Sequence, residues 1–376
     1  MRFTPIQHCS EGMVLAKTIF SESGQTLIRE DVKLTRRMID TLQHLGINFV
    51  YVRDARTSDV EVKEMLTEQT RMKAMKTIKE EFHKIGIKDR KFTSSIISPE
   101  FTKSFKSTVQ DILNDIMNSE GAVHFLTDIY IFDHYIFQHS LNVTCYTLLL
   151  ARSQDYNQQQ LAEIGLGAIL HDIGKLKLPM DILQKPGSLT DEEYALVKEH
   201  TVIGFDMLRK MHDIPLLCSH CAFQHHERMD GTGYPRGIKG DEMHPYAKMI
   251  AIADVFDALT TNRSYRKAML PHEAIEVLYA GAGTLFDLDL VDAFKYVITL
   301  YPTGIPVKLN DGTEGIVVGQ NKGMPSRPVV RVFKDESGQE LDTYYEIDLG
   351  KQLTMTIQDC NLELYGNEAG TDESGH

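Results

Sequence analysis

The sequence predicts a multidomain protein with an all-helical central domain, a small α+β module before it and a small β-domain after it. Apolar residues recur at helical spacing in QQQLAEIGLGAIL, residues 158–170. Short β-like runs mark the first 60 residues, and a series of strand-like runs begins at Ile305. The hydrophobic period therefore changes twice along the 376 residues, which indicates three structural regions.

The first region, residues 1–60, combines the β-like runs GMVLAKTIF and TLIRE with a helical stretch, VKLTRRMIDTLQHLG, and a further strand-like run, INFVYV. This order predicts a small α+β module. No residue in it indicates chemistry. We therefore interpret the module as a structural cap, with a sensory or docking role as the alternative.

Residues 61–114 form a charged segment with helical spacing, which includes VKEMLTEQTRMKAMKTIKEEFHKIG. Alternating charges with spaced apolar residues fit a solvent-facing helix that packs on a partner. Two interpretations stay open. The segment mediates a homodimer, or it is a linker helix folded on its own domain.

The central region, residues 115–301, reads as entirely helical. The sequence TDEE is a capping box that opens the helix carrying His200. A later helix follows Pro245, and its apolar residues bury one face while Asp254 and Asp257 share another. Polar residues on helical segments are therefore available for a site inside this domain.

The last region, residues 302–362, predicts a small β-domain. Its strand-like runs are IPVKL, EGIVVGQ, PVVRVF, TYYEIDL and LTMTI, with Asp-Gly and Ser-Gly as turn signals. Residues 363–376 predict a disordered acidic tail. No ligand-binding motif stands out in the β-domain, so packing or docking of a partner is its expected role.

Composition excludes several classes of protein. The formal net charge of −13 argues against binding to a nucleic-acid polymer, which requires a basic surface. Because the chain lacks an N-terminal apolar signal and an apolar run of about 18 residues, we expect no membrane span. Five cysteines fit a reducing compartment and predict a cytoplasmic protein. Cys218 and Cys221 lie in a segment typical of a buried helix, so we interpret this pair as structural.

Imidazoles and carboxylates on helical segments concentrate between residues 139 and 254. Together they suit Fe or Mn, because imidazole binds such metals while a carboxylate bridges two ions about 3.5–4 Å apart. Asp172 is the bridging candidate, since it follows His171 where Gly174 favours the end of a helix. We predict a site for two divalent metal ions with these candidate ligands: His139, His171, Asp172, His200, His225, His226 and Asp254.

Four motifs, in order, resemble the HD-GYP domain, a subgroup of the HD metal phosphohydrolases. They are HDIGK, HHE, DGTGYP and DVFDALTTNRSYRKA, which begin at residues 171, 225, 230 and 254. The resemblance covers roughly residues 115–300. It implies an all-α HD-type catalytic domain that hydrolyses cyclic di-GMP, a bacterial second messenger, at two or sometimes three metal ions.

The resemblance divides the ligands into two groups that share Asp172: the first with His139, His171 and Asp254, the second with His200, His225 and His226. Family members with three metals carry a glutamate one helical turn before the first histidine, where this chain has Tyr135. A phenol is a poor ligand at neutral pH, because its pKa is near 10. We therefore expect two metal ions rather than three.

Basic residues near the ligands make chemical sense for a phosphodiester. Two ions would polarise the phosphoryl oxygens and generate a hydroxide for in-line attack, so no side-chain nucleophile is needed. Asp172 and Lys175 are the candidate catalytic residues. The alternative for the basic residues is solvation or helix capping. In the family, the corresponding cations contact the ligand's phosphates, which assigns substrate binding to Lys175, Arg263, Arg266 and Lys267.

Two carboxylates beside the ligands predict a supporting shell. Asp257 lies one turn after Asp254 and can orient a ligating histidine or pair with Lys175. Glu227 follows the two adjacent histidines. We expect both to support the ligands from behind rather than to bind metal.

Two other functions compete with hydrolysis of cyclic di-GMP to a linear dinucleotide or GMP. The first is a catalytically weak cyclic di-GMP receptor, against which the intact ligand set argues. The second is an HD phosphohydrolase of another cyclic dinucleotide or nucleotide. The resemblance also makes the GYP loop a candidate contact for a GGDEF-type protein partner.

Overall fold

The chain forms two compact units. The N/C unit combines Met1–Glu64 with the chain from Ile298 onward, and the helical unit comprises Met65–Glu120 and His134–Val297. No helix among the described residues is both long and apolar enough to cross a membrane. The computed structural model describes residues 1–20, 26–45, 47, 49–62, 64–87, 99–119, 135–185, 187–261 and 268–360.

The N-terminal part of the N/C unit is a small α+β module with these elements: β1 (Arg2–Pro5), β2 (Ile19–Phe20), β3 (Thr26–Ile28), α1 (Arg36–His44) and β4 (Phe49–Val52). β1 pairs antiparallel with β4, and β2 with β3. α1 begins after Thr35, whose hydroxyl oxygen accepts a hydrogen bond from the Met38 N–H at 3.3 Å. The helix buries Ile39 and Leu42, which gives the module its own small core.

The C-terminal part of the N/C unit is a five-stranded antiparallel sheet with these strands: β5 (Pro306–Leu309), β6 (Glu314–Gly319), β7 (Val329–Lys334), β8 (Glu340–Asp348) and β9 (Ile357–Asp359). Their order in the sheet is β8-β7-β6-β5-β9. The two parts of the unit are in direct contact. The Phe3 N–H donates to the Gly304 carbonyl at 2.9 Å, and the Arg331 guanidinium pairs with Asp59 at 2.7 Å.

The helical unit contains these helices: α2 (Glu68–Ile87), α3 (Pro99–Asn118), α4 (Tyr135–Arg152), α5 (Gln158–Leu170), α6 (Met180–Leu183), α7 (Asp191–Leu208), α8 (Leu216–Gln224), α9 (Pro245–Thr260), α10 (Pro271–Ala280) and α11 (Leu288–Val297). The buried α4 packs against both α5 and α9. The predicted capping box of α7 is confirmed: the Thr190 hydroxyl accepts from the Glu193 N–H at 3.3 Å, and the Glu193 carboxylate accepts from the Thr190 N–H at 2.8 Å.

The charged segment that follows the N-terminal module forms α2 and α3, which pack within the helical unit. Phe82 of α2 and Phe105 of α3 are fully buried, with ring centroids 5.7 Å apart. Near the end of α2, the Ile85 carbonyl accepts a hydrogen bond from Lys177 Nζ at 2.8 Å. These contacts are those of helices folded on their own domain. A homodimer through this segment stays a prediction.

The predicted fold class is confirmed: an all-α domain lies between an α+β region and a β region. The first and last regions nevertheless belong to one unit. Chain order alone did not predict this, because the two regions are separated by the whole helical domain.

Candidate metal centre

The centre is built where α5 ends. His171 and Asp172 follow the last helical residue directly, and the 3-10 turn Ile173–Lys177 comes next. A Cβ on Gly174 would collide with the His200 carbonyl oxygen, so glycine is required where this turn lies against α7. The HDIGK motif thereby delivers an imidazole and a carboxylate next to a second ligand helix.

The structure brings the seven predicted ligands together in two buried groups. Within each group the ligand atoms lie within 4.8 Å of one another. Asp172 faces both groups: its Oδ2 lies 3.4 Å from His139 Nε2, and its Oδ1 lies 3.4 Å from His200 Nε2. This is the geometry of a carboxylate that can bridge two ions. The first group is His139, His171 and Asp254, and the second is Asp172, His200, His225 and His226.

Backbone carbonyl groups fix the orientation of three of these imidazoles. His171 Nδ1 donates to the Ala168 carbonyl at 2.7 Å, one turn earlier in the chain. His200 and His225 donate in the same way to carbonyls of their own helices, at 2.7 and 3.1 Å. Because Nδ1 carries the proton in each ring, the Nε2 lone pair faces the centre.

The orientation of the His139 ring is fixed by a buried network of side chains. His139 Nδ1 donates to Asp257 Oδ2 at 2.7 Å. The other oxygen of Asp257 accepts from Asn142 Nδ2 at 2.8 Å and from the Thr261 hydroxyl at 3.2 Å. Asn142 in turn accepts a hydrogen bond from Gln138 Nε2 at 2.6 Å. The sequence prediction named Asp257 but missed Asn142, although a polar residue three positions after a ligand on a buried helix was a usable signal.

Burial controls the protonation of the histidines. Loss of solvation lowers the pKa of His171, and it lowers the pKa of His200 to about 3. The pKa of His226 is also held well below its ordinary value by burial. These imidazoles are therefore neutral at pH 7, the form in which histidine binds a metal ion.

The two buried carboxylates are ionised. Burial alone would raise the pKa of Asp172, but the charge of Lys175 and the nearby imidazoles hold it well below its ordinary range. For Asp254, burial is likewise outweighed, by the nearby imidazoles of His139 and His226. Lys175 Nζ lies 2.5 Å from Asp172 Oδ2, so this predicted catalytic cation contacts the bridging carboxylate directly.

Two buried atoms test whether the centre fits metal ions. His171 Nε2 and Asp172 Oδ1 have no hydrogen-bond partner among the described residues. A buried polar atom without a partner costs about 1–3 kcal/mol, and a divalent ion would satisfy both atoms. Imidazole nitrogens and carboxylate oxygens are the donor set that suits divalent transition metals. The residues present therefore fit a binuclear site.

The loop after α8 lies against the second group. The Tyr234 ring stacks on the His226 ring, with centroids 4.8 Å apart and planes 30° apart. Glu227 shapes this loop, because its carboxylate accepts from the N–H groups of Arg236 at 2.7 Å and Ile238 at 3.2 Å. A Cβ at Gly233 would lie 2.5 Å from the Glu227 Cα, so only glycine permits this close approach.

Some predicted residues are not placed. Arg263, Arg266 and Lys267 lie outside the described residues, as does the side chain of Tyr135. Among the described residues, Lys175 is the predicted substrate-binding cation that the structure puts at the centre.

The cysteine pair on α8 is buried. Cys218 and Cys221 are both inaccessible to solvent, and burial raises the pKa of the Cys218 thiol to about 12. Reactive cysteines are accessible and have a lowered pKa. The observed environment agrees with a structural role for the pair.

Comparison with known proteins shows the family. Residues 129–290 match the HD domain, and residues 306–362 match a KOW domain associated with HD domain. A cyclic di-GMP phosphodiesterase of Pseudomonas aeruginosa is 35% identical over 65% of this chain and 58% of its own length. Residues 129–290 of this chain are therefore an HD-GYP-like HD domain.

Other relatives of the HD domain carry two substrate names. A cyclic di-GMP phosphodiesterase response regulator of Xanthomonas campestris is 39% identical over 39% of this chain and 39% of the relative. A 3′3′-cGAMP-specific phosphodiesterase of Vibrio cholerae is 38% identical over 44% of this chain and 35% of the relative. The HD-domain protein thus matches between 35% and 58% of the length of these relatives.

Among solved structures, an HDGYP protein of Bdellovibrio bacteriovorus matches 78% of this chain and 97% of its own, with 17% identity and a TM-score of 0.47. The relatives found by sequence, and not this structural match, are the ones described as cyclic dinucleotide phosphodiesterases. The chain is homologous to cyclic dinucleotide phosphodiesterases and keeps an intact, buried His/Asp site.

Proposed function

We propose that this HD-domain protein is a metal-dependent phosphodiesterase that hydrolyses cyclic di-GMP to a linear dinucleotide, GMP or both. One observation carries the proposal: two buried His/Asp groups meet at Asp172, whose two oxygens face histidines of both groups. Such an arrangement suits in-line displacement at phosphorus. Relatives described as cyclic di-GMP phosphodiesterases support this choice of substrate.

Two divalent ions, for which Fe and Mn are our candidates, would polarise the phosphoryl oxygens and lower the pKa of water when bound. The residues of the chain supply the rest. Asp172 holds the two groups in register, and Asp257 fixes the ring of His139. Because these side chains are buried and tied to one another or to the backbone, the ligand geometry is set before a substrate arrives.

Cations next to the centre have the role of holding the phosphate. Lys175 contacts Asp172 and is only partly buried, so its ammonium group can also reach a phosphate oxygen at the mouth of the site. Arg263, Arg266 and Lys267 follow α9, the helix of Asp254, within 13 positions of that ligand. A guanidinium group there would clamp a phosphate in two-point contact, which a lysine cannot reproduce.

A second candidate substrate is 3′3′-cGAMP, because a relative with this specificity is 38% identical to the HD domain. Both substrates are cyclic dinucleotides with the same phosphodiester chemistry, so the metal centre serves either. A receptor without activity is disfavoured, since all seven ligands are present and clustered.

The function is tested by anaerobic purification, elemental analysis and product chromatography after incubation with cyclic di-GMP, 3′3′-cGAMP and cyclic di-AMP. We expect about two transition-metal ions per chain and cyclic di-GMP as the fastest substrate. Close to three ions would contradict the binuclear site. Full metal loading without hydrolysis of any cyclic dinucleotide would contradict the proposed activity.

The arginine clamp is tested with Arg263→Ala. We expect the variant to retain its metal and to lose about 10-fold in kcat/KM for cyclic di-GMP, in line with about 1.5–3 kcal/mol for a charge-assisted hydrogen bond. The control is Arg209→Ala, which removes an exposed arginine of the same unit that pairs with Asp206. Equal kinetics for the two variants would remove the basis for placing a phosphate at Arg263.

A further inference from the structure

Beside the metal centre lies a group of rings and cations that the ligand set does not use. We call it the α7 rim and define it as Tyr194, Lys198, Tyr234 and Arg228. Tyr194 and Lys198 lie four positions apart on α7, the helix of His200. Tyr234 and Arg228 belong to the loop that follows α8.

The rim is continuous with the centre through stacked rings. Tyr234 stacks on His226 at 4.8 Å, and the Tyr194 ring meets Tyr234 edge-on at 6.4 Å. Lys198 Nζ lies 4.9 Å from the Tyr194 ring centroid and 5.9 Å from the Tyr234 centroid. A row of three rings therefore leads from a metal ligand to the surface, with an ammonium group above the outer two.

The side chains of the α7 rim are more exposed to solvent than those of a core contact. Tyr194 is 46% exposed although its ring adjoins the half-buried Tyr234. Arg228 is exposed and lies close enough for its charge to act on the Tyr234 phenol, while Lys198 is half-buried. The protein thus keeps aromatic faces and two cations accessible beside a site whose buried carboxylates are anionic.

The chemistry of the rim matches the part of a dinucleotide that the metals cannot hold. A binuclear centre engages one phosphodiester, which leaves a second phosphate and its nucleosides to contact the protein. Aromatic side chains bind nucleobases by stacking, and this works for every base because each has a π-face. An ammonium or guanidinium group at the same place binds the remaining phosphate.

We propose that the α7 rim is a nucleotide subsite in which Tyr194 stacks a base and Lys198 binds the phosphate that is not being cleaved. The inference rests on the proposed function and names the binding of the second half of its substrate. The described ring contacts of Tyr194 and Lys198 are with each other and with Tyr234. The subsite should therefore act on substrate binding and leave the cleavage step unchanged.

The test compares two substrates on the metal-loaded protein. Cyclic di-GMP has bases, whereas bis(p-nitrophenyl) phosphate has a phosphodiester without a base or a second phosphate. For Tyr194→Ala and Lys198→Met we expect KM for cyclic di-GMP to rise about 10-fold, with kcat and metal content unchanged. Lys198→Met should have wild-type kinetics on bis(p-nitrophenyl) phosphate, which has no second phosphate, whereas the nitrophenyl rings can themselves stack on Tyr194. Tyr194→Phe should keep most of the affinity, because it keeps the ring.

The control is Tyr296→Ala, which removes a tyrosine that is 52% exposed on α11, a helix of the same unit without metal ligands. An unchanged KM in Tyr194→Ala, or a rise as large in Tyr296→Ala, would overturn the proposal. So would an equal loss on both substrates in Lys198→Met, since this is the behaviour of general structural damage.

A wild type that cleaves bis(p-nitrophenyl) phosphate but no cyclic dinucleotide would overturn the proposed function and leave the subsite to be judged separately. Its affinity for GMP, measured by calorimetry on the metal-loaded protein, then decides. Weaker GMP binding by Tyr194→Ala than by Tyr296→Ala supports the subsite, and equal binding refutes it.

Discussion

The two units differ in the partners of the charged groups that they hold in place. In the N/C unit, charged groups pair with one another: Asp54 accepts a hydrogen bond from Arg56 Nη2 at 2.9 Å, and Arg331 bonds both Asp59 and Glu346 at 2.7 Å. In the helical unit, the buried imidazoles and carboxylates of the centre face inward, and two of their atoms have no hydrogen-bond partner among the described residues.

This difference separates structure from function within one chain. A charged group in an ion pair already has its partner within the protein. Its removal should lower the free energy of unfolding and leave metal binding unchanged. Buried nitrogen and oxygen atoms without a hydrogen-bond partner lower the free energy of unfolding. We therefore attribute their presence in the centre to ligand binding. The contrast predicts different consequences for similar substitutions in the two units.

The largest expected effect comes from removing one buried aspartate in each unit. Asp172→Ala should reduce cyclic dinucleotide hydrolysis by more than the roughly 100-fold that loss of a supporting partner costs, and bound metal should fall with it. Its metal-free form should unfold at a lower urea concentration than the metal-free wild type, because the substitution removes the ionised partner of Lys175. Metal content, turnover and urea unfolding measure these outcomes.

Asp54→Ala should lose stability but keep its metal. Loss of the pair with Arg56 should lower the free energy of unfolding by about 1–3 kcal/mol, with metal content unchanged. If Asp172→Ala kept its metal and turnover, the site assignment would be wrong. If Asp54→Ala lost metal, the distinction between the units would fail.

A smaller effect should follow from Asn142→Leu. Asn142 holds Asp257, which holds His139, so the variant loosens a ligand without touching the metal. Metal affinity should fall by about 10-fold, the lower end for an outer-shell partner, while kcat at saturating metal stays close to wild type. Competition with a coloured chelator measures the affinity. Asn114→Leu, an exposed asparagine on α3, is the control and should bind metal normally.

The sequence predicted the parts of the site that are local. Four of the seven ligands occur as adjacent pairs, His171 with Asp172 and His225 with His226, at helix ends that glycine and polar turns indicate. The polar residue Asn142 on a buried helix was a local signal, but its partner could not be read from the sequence because Asp257 lies 115 positions away. Partners at such separations follow from packing, which no local pattern encodes.

The same limit applies to the fold. The periodicity of apolar residues predicted an all-α domain between an α+β region and a β region, and the structure confirms it. The union of the two outer regions depends on contacts such as Arg331 with Asp59, 272 positions apart. Nothing near either residue in the sequence indicates this pairing.

The last comparison of the two units is the response of the metal-free protein to acid. In the folded helical unit the pKa of His200 is about 3, and those of His171 and His226 are also below the ordinary value of 6.5. Between pH 6.5 and these lower pKa values, the histidines are protonated in the unfolded chain but not in the folded chain. The free energy of unfolding therefore falls as the pH falls from 6.5 toward 3. Each such histidine contributes a slope of up to about 1.4 kcal/mol per pH unit.

In the N/C unit the lowered carboxylate pKa values belong to Asp54, Asp59, Asp335 and Asp348, whose ordinary value is 3.8. The contribution of these carboxylates to stability is present above pH 3.8 and is lost only as the pH falls further, so it does not change between pH 7.5 and pH 5. The pKa of the Met1 amino group is lowered from 8.0, so this one group makes the N/C unit lose some stability as the pH falls below 8. Urea titration of the chelator-treated protein at these two pH values, followed by hydrogen exchange of peptides from each unit, separates the responses. We expect peptides of the helical unit to lose protection at pH 5 at a urea concentration that leaves the N/C unit protected. Equal shifts in both units would show that the buried histidines are not the source of the acid sensitivity, because only the helical unit contains them.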